Sequence, residues 1–184
     1  MSRYKFLLMM LLLISFSCSS QNNFSEKEKS FISLFNSFAE YIKSKEDITD
    51  SSQLKHIKQN YLFIDTKGEL PNEKTDILKK QLKTFSTFLR KENLAENLSV
   101  IPVRYADNKS VYNDLSSFQK ENTLVFFDRR SPKKIIGYIL FMPPVAKVIS
   151  EPRIWSWTIM YQYGKYIFKS VTGEEGYEYI FTPK

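Results

Sequence analysis

Apolar positions recur at intervals of three and four in the first half of the chain and at intervals of two in the second. Phe31, Leu34, Phe35, Phe38, Tyr41 and Ile42 share one helical face. Ser25-Glu26-Lys27-Glu28 stands before them as a capping box: the serine oxygen accepts from the amide of Glu28, and Glu28 reaches back. A helix is therefore predicted from near Ser25 to near Lys45, with further helical turns over Ser52 to Gln59. The adjacent apolar residues Tyr61, Leu62, Phe63 and Ile64 read as a short strand or a buried connector. Gly68 and Pro71 break the chain. Asn72 is placed as an N-cap, and Glu73 complements the helix dipole in the first turn. The stripe Ile77, Leu78, Leu82, Phe85, Phe88 and Leu89 predicts a second long helix ending near Asn93, with Lys79, Lys80 and Lys83 facing outward.

Beyond that helix the period drops to two. Leu98, Val100 and Val103 begin a strand whose Pro102 suits an edge or a strand start. A short helix is predicted within "NKSVYNDLSSFQKEN". "TLVFFD", "KKIIGYILFM", "RIWSWTIMYQY", "GKYIFKS" and "YEYIFTP" then form an antiparallel meander of about five strands, with a turn over Arg129 to Lys134 and a hairpin at Gly164. Alternation puts Trp155, Trp157, Ile159, Tyr161 and Tyr163 on one side, expected to be buried against the helices. Residues 135–142 are apolar on both sides, which predicts a central strand covered twice, by a strongly curved sheet or by a partner. The fold class expected is α+β, with N-terminal amphipathic helices packed on a curved antiparallel sheet.

The first eighteen residues change the picture of where this domain works. Arg3 and Lys5 precede an eleven-residue apolar block, Phe6 to Phe16, interrupted only by Ser15. A bilayer's hydrocarbon core needs about 20 helical residues, so the block has the length of a signal-peptide core. Small residues follow, Ser17, Cys18, Ser19 and Ser20, which an ordinary signal peptidase would also accept. Ile14-Ser15-Phe16-Ser17-Cys18 resembles the lipobox of bacterial lipoproteins, with Ser15 where leucine is usual and the bulky Phe16 behind it. The resemblance implies a type II signal peptide over 1–17, lipidation of Cys18, a tether over 18–24 and a single domain over 25–184. It also implies a bilayer partner through acyl chains (palmitate among them) and a place in the bacterial cell envelope, at the outer membrane on its periplasmic or surface face. Three acyl chains hold a protein where one is marginal, at about 0.8 kcal/mol per buried methylene. The alternative is a cleaved signal that leaves Cys18 free or removes it. Cys18 is the chain's one cysteine, so no intramolecular disulfide can form.

Charge modifies this only slightly. The whole chain carries a formal +7; without Arg3 and Lys5, 25 basic and 20 acidic residues remain. The charges are interspersed, as in "SEKEKS" and "NEKTDILKK", and read as solvated helix faces. This suits an anionic membrane surface and gives no phosphate-binding tract, so no nucleic-acid partner is expected.

Candidate chemistry is sparse. His56 is the one histidine, read as a surface residue; a nucleophilic triad built on it would lack a G-x-S-x-G elbow. No metal or cofactor is expected, since His/Cys ligand sets are missing and "EDITD" lacks the glycine and final glutamate of a calcium loop. The five glycines make no phosphate cradle. Glu174 and Glu175 read as a charged turn. Trp155, Trp157, Tyr161 and Tyr163, with Tyr166, Tyr177 and Tyr179, are candidate contacts for a sugar, lipid or peptide, or else pack the sheet. Arg129, Arg130 and Arg153 could face an anion or serve solubility. The order of elements has a coarse similarity to the NTF2-like cone fold, which implies a pocket between helix and sheet and brings no site residue with it. The function expected is a lipid-anchored envelope binding module, its partner another envelope protein or a glycan. The alternative is an NTF2-like small-ligand binder or enzyme.

Overall fold

The computed structural model describes residues 23–64, 70, 72–90, 98–107, 109–129, 135–145 and 149–159. Within them the elements run α1 (Glu26–Ser44), α2 (Ser51–Asn60), α3 (Asn72–Arg90), β1 (Leu98–Pro102) and a 3-10 turn (Val103–Tyr105). There follow α4 (Lys109–Asp114), α5 (Ser117–Asn122), β2 (Thr123–Asp128), β3 (Ile135–Met142) and β4 (Arg153–Ile159). The four strands form one antiparallel sheet in the order β1-β2-β3-β4. The fold is α+β, as the switch from helical to strand periodicity predicts. The sheet holds four described strands rather than about five, because β1 is added at the front while "GKYIFKS" and "YEYIFTP" lie outside the described residues.

The helices begin where their side chains can serve free amides. Ser25 caps α1 through the full reciprocal box with Glu28, and Asp50 caps α2 by accepting from the amide of Ser52. Helix α3 takes in Asn72 itself, which the sequence pattern places at the cap. Ile77 is exposed, and Gln81 occupies a buried position on the apolar stripe instead. The C-terminal ends of α1 and α3 are tied together by Arg90, whose guanidinium donates to the carbonyls of Lys43 and Lys45.

One face of the sheet packs on α1, α2 and α3 through a core of Phe31, Phe35, Phe38, Leu82, Phe85, Phe126, Phe141 and Trp157. Phe31 stacks on Phe141 at 4.6 Å, and Phe38 lies 5.7 Å from Trp157 between centroids. The other face carries a smaller core of Val103, Leu115, Val125, Ile135 and Tyr138. Strand β3 is central and buried on both sides, as its composition predicts. Its second cover includes the chain's own 3-10 turn and short helices.

Two β-bulges set which side chains face which core. At the first, Phe126 pairs with Gly137 and Phe127 with Ile135, so Ile136 is the extra residue. At the second, Leu140 pairs with Ser156 and Phe141 with Ile154, which leaves Trp155 as the extra residue. A bulge places two residues opposite one and resets the alternation beyond it. Ile154 and Trp157 consequently both enter the helix-side core, fully buried. The expectation that Trp155 and Trp157 share one buried face is thereby corrected.

Candidate functional site

The aromatic strand divides at its bulge. Trp157 is buried between Phe38 and Phe85, so the sheet-packing reading holds for it. Trp155 is half-buried between Phe63 (6.3 Å) and Phe118 (5.7 Å), both edge-on. Phe63 comes from the connector behind α2, which pairs with β4: its amide donates to the Ile154 carbonyl, and the Ile154 amide donates to the Tyr61 carbonyl, both at 2.8 Å. Tyr161, Tyr163, Tyr166, Tyr177 and Tyr179, like Cys18, Arg130, Glu174 and Glu175, lie outside the described residues. Arg153 is half-buried at the start of β4 and Arg129 is exposed in the turn after β2.

His56 is exposed on α2. Its ring stacks on Tyr41 at 4.3 Å, and Asn60 lies 3.3 Å from its Nδ1. Tyr41 also takes Lys45 over its ring at 4.9 Å, and its hydroxyl donates to Gln53. Burial, followed by the neighbouring Tyr61 phenol, pushes the Tyr41 hydroxyl above its ordinary value. Among the described residues, no group of three His, Cys, Asp or Glu side chains could hold a metal.

A shallow groove of about 110 Å³ lies between α1, the end of α3 and β1. Phe35, Leu89, Leu98 and Val100 make its apolar wall; Asn36, Glu40 and Lys43 make its polar rim, with Lys43 and Glu40 paired at 3.3 Å. The sequence hides it, because the groove joins α1 to the end of α3 and to β1, and Lys43 and Leu89 on its two sides stand 46 positions apart. Such a surface accepts an apolar group whose neighbour carries a hydrogen-bonding or charged end.

No family model, curated protein or solved structure matches the chain. Function therefore rests on the side chains. The third cluster of interest surrounds the start of α1. Glu28 is buried, and a single carboxylate oxygen accepts from the Ser25 amide (2.8 Å), the Ser25 hydroxyl (3.0 Å) and the Arg104 guanidinium (2.7 Å). The hydrogen bond to Glu28 pushes the Arg104 guanidinium above its ordinary value. Arg104 also lies over the Tyr105 ring at 4.8 Å. Tyr105 meets Phe24 edge-on at 5.3 Å and donates its hydroxyl to the Asn23 carbonyl at 3.3 Å. Lys27 pairs with Glu121 of α5 at 3.7 Å. The start of α1 is thus held from the 3-10 turn on one side and from α5 on the other.

Proposed function

We propose that the chain is a lipid-anchored envelope protein in which Cys18 carries the acyl chains and the α+β domain binds a partner rather than transforming one. The observation that carries this reading is the position of Cys18 directly behind the apolar block Phe6 to Phe16. A thiol there has a use as the point of lipid attachment, and several acyl chains make that attachment durable. The groove between α1, α3 and β1 supports a binding role: its wall is apolar, and its rim offers an amide and an ion pair. Among the described residues, the groups with shifted protonation, Tyr41, Asp47, Asp50 and Arg104, lie outside it and serve packing, a turn, a helix start and one ion pair. The partner is another envelope protein or a glycan.

The test is the mass of the native N-terminus together with cell fractionation. The expected product begins at Cys18, carries a thioether-linked diacylglycerol and sediments with membranes, while Cys18→Ala passes into the soluble fraction. An N-terminus at any other residue, or an unmodified thiol, overturns the anchor. A second reading, a small-ligand binder of NTF2-like type, is favoured by the groove's place beside α1. It requires that a bound small molecule be displaced by Ala39→Trp, which fills the groove.

A further inference from the structure

We propose that the end of the domain bearing Phe24, Tyr105 and Phe118 rests against the bilayer surface; this builds on the lipid anchor proposed above. From Cys18 to Asn23 the chain advances five residues, at most about 18 Å when extended. The near end of that span is bound to the body: the Asn23 carbonyl accepts from Tyr105, Phe24 packs on the Tyr105 ring, and Ser25 begins the box that holds Glu28 and Arg104. An anchor that short, leaving from a fixed point, brings this end nearest the membrane.

The side chains at this end suit that neighbour. Tyr105 is 38% and Phe118 39% exposed, two of the four large apolar side chains exposed among the described residues. They flank the first turn of α1. Tyr105 adjoins Arg104, which holds Glu28, and Phe118 lies one turn before Glu121, which holds Lys27. Tyr105 joins an apolar ring to a polar hydroxyl, which favours the region between headgroups and acyl chains, and Phe118 adds apolar surface beside it. Lys27, Lys29, Arg104, Lys109 and Lys120 stand here against Glu26, Glu28, Asp107 and Glu121, a net of only +1, so the rings rather than the charge decide the contact. Two rings alone would bind a vesicle weakly. Tethering makes the contact intramolecular, with an effective concentration on the order of millimolar for a short linker, so weak affinity is sufficient. Helix α1 has 19 residues and carries the groove's rim about 20 Å along its axis from this end. The groove is then left clear of the lipid for a partner.

The experiment uses the full lipidated protein in vesicles of phosphatidylethanolamine and phosphatidylglycerol. Because the Cys18 thiol is occupied, Ser117→Cys or Glu46→Cys offers a single site for a nitroxide and keeps both rings. The label at 117, beside Phe118, should show a several-fold higher ratio of oxygen to nickel-chelate accessibility than the label at 46, beyond the far end of α1. Equal ratios at the two sites, on a protein whose mass shows the acyl chains, overturn the orientation and leave the anchor standing. A mass without acyl chains overturns both. Should Ser117→Cys fail to fold, brominated lipid decides with the unaltered protein: partial quenching of tryptophan emission is expected through Trp155, which touches Phe118, and no quenching overturns the proposal.

Discussion

Ile154 and Trp157 stand three residues apart on β4 and face the same core. Strict alternation would separate them; the bulge at Trp155 brings them together. The two tryptophans therefore do unlike work. Trp157 is fully buried against Phe38 and Phe85, and its truncation to alanine leaves a cavity worth about 4 kcal/mol. Trp155→Ala loses two ring contacts at a half-buried site and should cost about 1 kcal/mol. Urea unfolding of the two variants measures the difference. Acrylamide should quench the emission of Trp157→Phe, which keeps Trp155, more strongly than that of Trp155→Phe.

The start of α1 offers a second contrast. Glu28 accepts three hydrogen bonds at one oxygen, and only one comes from Arg104. Removing the acceptor leaves the Ser25 amide and the guanidinium without it, so Glu28→Ala should destabilise by about 2 kcal/mol. Arg104 is half exposed, and without it Glu28 keeps both bonds to Ser25; Arg104→Ala should cost less than half as much. Ser25→Ala removes one side of the box, for about 1 kcal/mol. A double-mutant cycle between positions 28 and 104 isolates the ion pair, and its coupling should shrink in high salt.

The helices were legible from the sequence because their signals are local. The box Ser25–Glu28 and the stripe from Phe31 to Ile42 both lie within one helix's length, and the structure has both. The central place of β3 was legible for the same reason: an apolar run on both faces demands two covers. What covers it was not, since Val103, Leu115 and Tyr138 come together only through the tertiary fold. The bulges at Ile136 and Trp155 were hidden as well. A bulge is a property of a strand pair, and neither residue departs from ordinary strand composition. The groove and the Glu28–Arg104 pair were out of reach for a similar reason, because the latter joins residues 76 positions apart.

The acid limit of stability should depend in part on the α2 cap. Hydrogen bonds from the Ser52 hydroxyl and amide hold the Asp50 carboxyl below the ordinary carboxylate range; those from Thr49 do the same for Asp47. A carboxyl depressed in the folded state binds its proton more weakly there than in the unfolded chain. Its contribution is therefore complete above the unfolded value and fades as pH falls through the folded one. Asp50→Asn keeps an oxygen that can cap and removes the titration. The urea midpoint of the parent should exceed that of Asp50→Asn near neutrality, and the gap should close as the solution is taken below the carboxylate range. A gap independent of pH would mean that the cap does not sense the proton.

Gln81 presents the opposite case, a polar group in a place built for an apolar one. It is 2% exposed on the stripe of α3 that carries Leu78, Leu82, Phe85 and Leu89, and neither atom of its amide has a hydrogen-bond partner among the described residues. An amide buried in that way costs about 1–3 kcal/mol in lost hydration. Methionine has nearly the same length and shape, with no hydrogen-bonding requirement at its end. Gln81→Met should therefore raise the urea midpoint, with a gain of about 1 kcal/mol at unchanged slope. Gln81→Ala should lower it, because the cavity then outweighs the relief of desolvation. The pair of variants separates volume from polarity. If methionine destabilises as alanine does, the amide is satisfied in solution by a water held in the core, and its polarity contributes to the fold.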